Sequence, residues 1–269
     1  MVFTQNWGLT QIKLTSISAI RWLASAVLAV AVSIYFMSGY CSTDNPSFQE
    51  FCILLLNNKY YICYVLGVIH IVLCSDCYNP TNSLFDDTLL LRFPSKIKWL
   101  TSNIFYILVL CALMLFLVIL SMCTYFGELQ TFFMPQSIEQ YYSQLFNGIT
   151  IGKAIAINLV LIYLRFVFLG MNILLLNMCS KNLPLGFLGP LSIVFIDIFF
   201  YETFYITQPL FILPLEHTRI FFTEAAVPIL DGTRVKIEIS FIYWFLLIAI
   251  EYLLLCKIVA NKDYMVNKY

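Results

Sequence analysis

Arg92-Phe93-Pro94-Ser95-Lys96-Ile97-Lys98-Trp99 runs directly into a stretch that carries no charge before Glu128. At a rise of about 1.5 Å per residue that stretch, ending at Gly127, exceeds the roughly 30 Å of hydrocarbon in a bilayer, too long for an ordinary core helix. Its isolated Ser and Thr can bond back to helical carbonyls. The cationic turn ahead of it marks the cytoplasmic surface of a membrane.

Composition agrees, because 61% hydrophobic, 17% aromatic and 11% charged residues leave too little polar surface to solvate a water-soluble globule. Fifteen cations balance fifteen carboxylates, so the concentrated basic field that a nucleic-acid partner requires is missing. The fold expected is an all-α polytopic membrane protein, one transmembrane domain over residues 1–269 with six helices. The spans are placed at about 22–40, 60–78, 99–125, 153–178, 183–206 and 240–258, the first three ringed by interfacial Trp and Tyr.

Orientation follows from the basic residues retained on the cytoplasmic side. Lys13, Arg21, Arg92, Lys96, Lys98, Lys181, Lys257, Lys262 and Lys268 fall on one side, and Lys59, Lys153, Arg219, Arg234 and Lys236 on the other. Both termini are thus expected inside. Trp7, Leu9, Ile12, Leu14, Ile17 and Ile20 interleave with polar residues, a pattern for an amphipathic helix in the headgroup layer. The first apolar segment shows no small-residue cleavage site and reads as a retained span rather than a secretion signal.

Cys63, Cys74, Cys111, Cys123 and Cys256 fall in or beside spans and read as small apolar groups. Cys74-Ser75-Asp76-Cys77 has CxxC spacing but neither a second pair nor a nearby His, so no metal site is expected. Cys41 and Cys52 share the first outer loop and could be bridged in an oxidising compartment. His70 is suited to hydrogen-bond a neighbouring helix, and His217 has no Ser, Cys or acid at a recognisable catalytic spacing. Gly148-Ile149-Thr150-Ile151-Gly152-Lys153 is one residue short of a phosphate loop and is followed by Ala154, so the chain has no motor of its own.

Charges within the last three spans carry more information, since an ionised group in mid-membrane costs several kcal/mol unless paired or hydrated. Counted from the outer ends, Arg165 lies about 18 Å deep, Asp197 about 14 Å and Glu251 about 16 Å. They form an intramembrane charge cluster in this reading: either an ion pair that fixes helix packing or the polar lining of a transport path. Glu202 lies nearer the outer surface. Between the last two spans, Pro209, Pro214 and Pro228 interrupt greasy runs such as Leu210 to Leu215, which predicts short re-entrant helices; a loop resting on lipid is the alternative.

Together these features resemble the ABC type-two transporter permeases, in their bacterial six-span form. The local match is Leu90-Leu91-Arg92-Phe93-Pro94-Ser95-Lys96-Ile97-Lys98-Trp99, similar to the Arg, Ser-basic, Trp pattern that these permeases carry at the entry to the third span. The resemblance implies an exporter subunit of the bacterial cytoplasmic membrane. It would dimerise with a second copy or a paralogue and couple to separate ATP-binding subunits, in which ATP and Mg reside, to move an amphipathic or lipophilic peptide, antibiotic or lipid. It implies a coupling helix over Asn82 to Lys98, in which Asp86, Asp87, Arg92, Lys96 and Lys98 present charge and Leu84, Phe85, Leu89 and Phe93 anchor. A turn that binds lipid headgroups is the alternative for this segment. Pro94 departs from the family pattern and is expected to end that helix.

A secondary carrier or channel is the second functional class, with Arg165, Asp197 and Glu251 as an ion or proton relay. The inverted repeat that many carriers show is not apparent between the two halves. An intramembrane enzyme is the third, without an HExxH, GxSxG or paired-Asp signature.

Overall fold

The computed structural model describes residues 10, 13–14, 19–40, 47–75, 93, 95–125, 149–179, 183–204, 214–215, 217–218 and 237–261. Among these residues the chain is helical and contains no strand. The helices are α1 (Ala19–Tyr40), α2 (Phe48–Asn57), α3 (Tyr61–Cys74), α4 (Lys96–Tyr125), α5 (Ile151–Cys179), α6 (Leu183–Phe204) and α7 (Ile237–Asn261). Among the described residues α4, α5 and α7 are each long and apolar enough to cross a membrane. A fourth span results if α2 and α3, bent by 82° at their break, count as one. Shorter apolar stretches, Ile20–Val32 and Leu185–Phe200, lie in α1 and α6.

From α3 to α7 the helices alternate in direction, as contacts between their ends establish. Lys96 at the start of α4 donates to the carbonyl of Ala260 at the end of α7, at 3.4 Å. Asn177 near the end of α5 donates to the carbonyl of Ser75 just past α3, at 3.5 Å. At the opposite end, Tyr60 and Lys59 before α3 both meet Glu202 near the end of α6, at 2.8 and 2.5 Å. Glu202 is therefore ion-paired as well as exposed.

α5 is the hub. It packs against α2, α3, α4, α6 and α7, and it buries residues all round its circumference, from Ala154 to Met178. Such a helix belongs at the centre of a bundle. The peripheral helices show the reverse face: Phe116 and Ile119 on α4, Phe195 and Phe199 on α6, and Ile242, Phe245 and Leu253 on α7 are exposed. An apolar belt of this extent suits hydrocarbon rather than water.

α2 is the main departure from the expected topology, which assigns residues 41–59 to an outer loop. Ser47 accepts a hydrogen bond from the Glu50 N–H at 3.2 Å, the Ser-x-x-Glu signature of a helix start, and Phe51, Ile53, Leu55 and Leu56 are buried. The bend is held by Asn58. Its backbone is extended, its N–H bonds the Leu55 carbonyl, and its side-chain oxygen accepts from the N–H groups of Tyr60 and Tyr61 at 3.0 and 3.1 Å. Asn158 of α5 donates to the carbonyl of Leu56 at 3.2 Å, so α2 is pinned across the end of the hub helix. Cys52 is a buried thiol on α2; Cys41 lies outside the described residues. The first part of α3, Tyr61–Gly67, is wound as a π-helix before Val68–Cys74 continues as an α-helix.

One further expectation needs correction. Trp99 is not an interfacial anchor but is 2% exposed, inside the main core cluster. Most of the expected amphipathic N-terminal helix lies outside the described residues; within it Lys13 is buried and donates to Asn103 of α4 at 2.6 Å, with its ammonium 5.8 Å from the centroid of the Tyr106 ring.

α5 and α6 approach closely because α6 opens on small residues. A Cβ at Gly186 would overlap the side-chain amide of Asn177, and one at Gly189 would overlap Leu176. Pro190 follows, leaving the Gly186 carbonyl without its helical donor. Gly186→Ala is expected to displace Asn177 from Ser75 and to cost about 1–3 kcal/mol by overpacking, read as a lower midpoint of thermal unfolding in detergent. Gly152→Ala, where a Cβ meets nothing within 4 Å, is the control and should leave the midpoint unchanged.

Candidate functional site: an inserted segment on a buried ion pair

Two levels of buried polar chemistry lie along α5. At the first, Arg165 Nη2 stands 2.9 Å from Asp197 Oδ2 on α6, both side chains 1% exposed. The approach is a charge contact rather than an aligned hydrogen bond, since Oδ2 meets no hydrogen-bond criterion. The rest of both groups is spent on other elements. Arg165 Nη2 lies 3.2 Å from Cys63 Sγ on the π-wound turn of α3, and Nη1 lies 3.4 Å from Thr218 Oγ1. Asp197 Oδ1 accepts from the backbone N–H of Leu215 at 3.1 Å.

Leu215 and Thr218 belong to the segment between α6 and α7, whose described residues, Pro214, Leu215, His217 and Thr218, form turns. The rest of the stretch where short re-entrant helices are expected lies outside the described residues; Leu215, His217 and Thr218 are at most 1% exposed. Their freed backbone groups are satisfied locally. Thr218 donates its hydroxyl to the Pro214 carbonyl at 2.7 Å and its N–H to the Leu215 carbonyl at 3.1 Å. Irregular backbone is tolerated at such depth only when protein supplies these partners.

α7 closes the other side. Trp244 Nε1 donates to the His217 carbonyl at 2.9 Å, the His217 ring stacks on Tyr243 with centroids 3.9 Å apart, and His217 Nδ1 lies 3.2 Å from Ser240 Oγ. His217 thus does meet a serine, though one on another element. The Trp244 ring packs on Phe168 of α5 and on a cluster that holds Ile53 of α2 and Ile151 and Ala154 of α5. Three helices, α5, α6 and α7, thereby grip the described residues of this segment.

Glu251 occupies the second level. It does not join the other two charges: Asn172 Nδ2 donates to its Oε1 at 2.9 Å, and Asn172 lies two helical turns, about 10 Å, beyond Arg165 on α5. The expected three-membered cluster is therefore an ion pair, Arg165 with Asp197, and a separate acid–amide pair, Glu251 with Asn172.

The expected coupling residues are only partly described. Leu84, Phe85, Asp86, Asp87, Leu89 and Arg92 lie outside the described residues, as does Pro94. Phe93 packs against the main core cluster. Ser95 caps α4 by accepting from the Lys98 N–H at 3.2 Å, Lys96 reaches the terminal carbonyls of α7, and Ile97 and Lys98 are exposed. Each member of the Ser-basic-Trp pattern thus has a distinct physical role: cap, inter-helix tie, outward cation and buried anchor.

His70 is buried between α3, α4 and α5, stacked on Phe166 at 4.8 Å, with its Nε2 3.4 Å from Cys74 Sγ and 4.0 Å from Cys111 Sγ. No group of three metal-ligating side chains occurs among the described residues. No family model matches the chain. No curated protein matches it either.

Proposed function

We propose that the chain is the six-span membrane subunit of an ATP-driven exporter, one of two copies or paralogues, working with separate ATP-binding subunits at the bacterial cytoplasmic membrane with both termini inside. The observation that carries this reading is the seating of the Phe93–Trp99 turn. Phe93 and Trp99 anchor it, Lys96 binds it to the last helix, and Ile97 and Lys98 face outward at the end of the bundle where α3, α5 and α7 terminate. A helix start carrying two lysines and no acid opposes its own dipole, which favours an anionic surface beside it. Asp86, Asp87 and Arg92 precede this turn and would complete the contact with an ATPase.

Midway along α5, Arg165 and Asp197 hold Thr218 and Leu215 of the segment between α6 and α7. That ion pair holds Leu215 and Thr218, whereas Glu251 pairs with Asn172, about 10 Å beyond Arg165 along α5, which counts against a continuous Arg165–Asp197–Glu251 relay and so against the carrier reading. The apolar exposed helices and the aromatic abundance suit a greasy or amphipathic cargo.

The test is reconstitution of the chain with an ATP-binding partner in liposomes. Changing Asp86, Asp87 and Arg92 together to Ala should reduce cargo-stimulated ATP hydrolysis about tenfold or more, the loss of at least one interface hot spot, while the chain still inserts. Unaltered coupling, or cargo movement by the chain alone without nucleotide, would overturn the proposal.

A further inference from the structure

Glu251, paired with Asn172, is a buried acid that takes no part in the Arg165–Asp197 ion pair. Glu251 is 5% exposed, on the side of α7 that faces the bundle. Its Oε1 receives the Asn172 amide N–H at 2.9 Å. Its other oxygen, Oε2, has no partner, and neither has the carbonyl oxygen of Asn172. Each half of the pair therefore keeps one buried acceptor without a donor, and a buried polar group left in that condition costs about 1–3 kcal/mol, more if charged.

Among the described residues the surrounding elements supply Glu251 with no cation. α7 packs on α5 and α4. On α5, Arg165 is committed to Asp197, Thr218 and Cys63, and Tyr163 donates to the Leu108 carbonyl. On the α4 side stand Tyr106 and Cys111, with Lys13 bound to Asn103. Along α7 itself come Tyr252, Cys256 and Lys257. Among the described residues, none of these makes a contact with Glu251. A metal ion would need further ligands, and no group of three ligating side chains occurs among the described residues.

We propose that Glu251 is a proton-binding site, occupied at rest, in which the carboxylic acid and the Asn172 amide hold each other by two hydrogen bonds. A single proton on Oε2 converts that oxygen from acceptor to donor, and the Asn172 oxygen becomes its acceptor; both orphaned groups are satisfied at once. The bound acid is neutral, as a group surrounded by hydrocarbon and lacking a counter-ion must be. Loss of the proton leaves a carboxylate facing an amide oxygen at the α5–α7 contact, so proton release and separation of these two helices are coupled. The inference needs the chain to lie in a membrane but does not depend on an ATP-binding partner.

The experiment uses the full chain in lipid nanodiscs, with no added ligand other than protons. Infrared difference spectra between the native chain and Glu251→Gln should show, at neutral pH, the carbonyl stretch of a hydrogen-bonded carboxylic acid. Asn172→Leu should shift that band towards the position of an acid lacking its partner. As pH is raised the band should disappear, and modification of Cys256 on α7, followed by mass spectrometry, should increase at least severalfold over its rate in Glu251→Gln at the same pH. Glu251→Gln replaces the neutral acid by a group of nearly the same shape that can donate to Asn172, so it should insert and fold. Absence of the acid band at neutral pH, equal Cys256 labelling in both chains at every pH, or failure of Glu251→Gln to fold would each overturn the proposal.

Discussion

Arg165→Ala should lower the stability of the chain by about 3–5 kcal/mol, because it strands Asp197 as an uncompensated buried charge. The loss should appear as poor yield and a much lower midpoint of thermal unfolding in detergent. Adding Asp197→Asn to Arg165→Ala should recover part of it, since the amide removes the stranded charge and its oxygen can still accept from the Leu215 N–H. Recovery should be incomplete: Thr218 and Cys63 still lose the guanidinium. Equal stability of Arg165→Ala and the native chain would show that water reaches this pair and that the inserted segment is not held by it.

The second large effect is expected at Trp244. Removing a fully buried indole typically costs about 3–5 kcal/mol, and here Trp244→Ala would also free the His217 carbonyl. Trp244→Phe keeps most of the ring contact with Phe168 and loses only the hydrogen bond, so about 0.5–1.5 kcal/mol is expected. Proteolysis or labelling at residues 214–218 distinguishes the two contributions: the segment should open in Trp244→Ala and stay protected in Trp244→Phe. Protection in both would mean that Arg165 and Asp197 suffice to hold it.

Much of the helical layout was legible because apolar length is a direct physical requirement of a membrane span. Helix ends fall within about three residues of the expected span ends in most cases, while among the described residues α4, α5 and α7 are long and apolar enough to cross a membrane, with α2 and α3 a fourth if counted as one. The Arg165–Asp197 pairing could be read from depth alone, since a buried cation and a buried carboxylate at similar depth on neighbouring helices have strong reason to meet. Depth did not fix Glu251. The three charges were counted from separate helix ends, and α5 extends well past the start of α7, so equal counts correspond to different levels. Rotation about a helix axis is equally invisible to a count along it.

α2 was missed for a different reason. Glu50, Asn57, Asn58 and Lys59 made residues 41–59 look aqueous, yet the Ser47–Glu50 capping box and the run Phe51 to Leu56 were present in the sequence. Neither Cys63 nor Thr218 could have been foreseen as a partner of Arg165, because a thiol and a hydroxyl far along the chain carry no spacing signal. Residues 84–92, where a coupling contact is proposed, lie outside the described residues.

The bend at Asn58 decides which part of the hub helix is covered. Because α2 lies across the end of α5 and shares a packed cluster with Ile151, Ala154 and Trp244, it acts as a lintel over that doorway. The flank of the hub helix beneath it can be uncovered only if the lintel swings on its asparagine hinge.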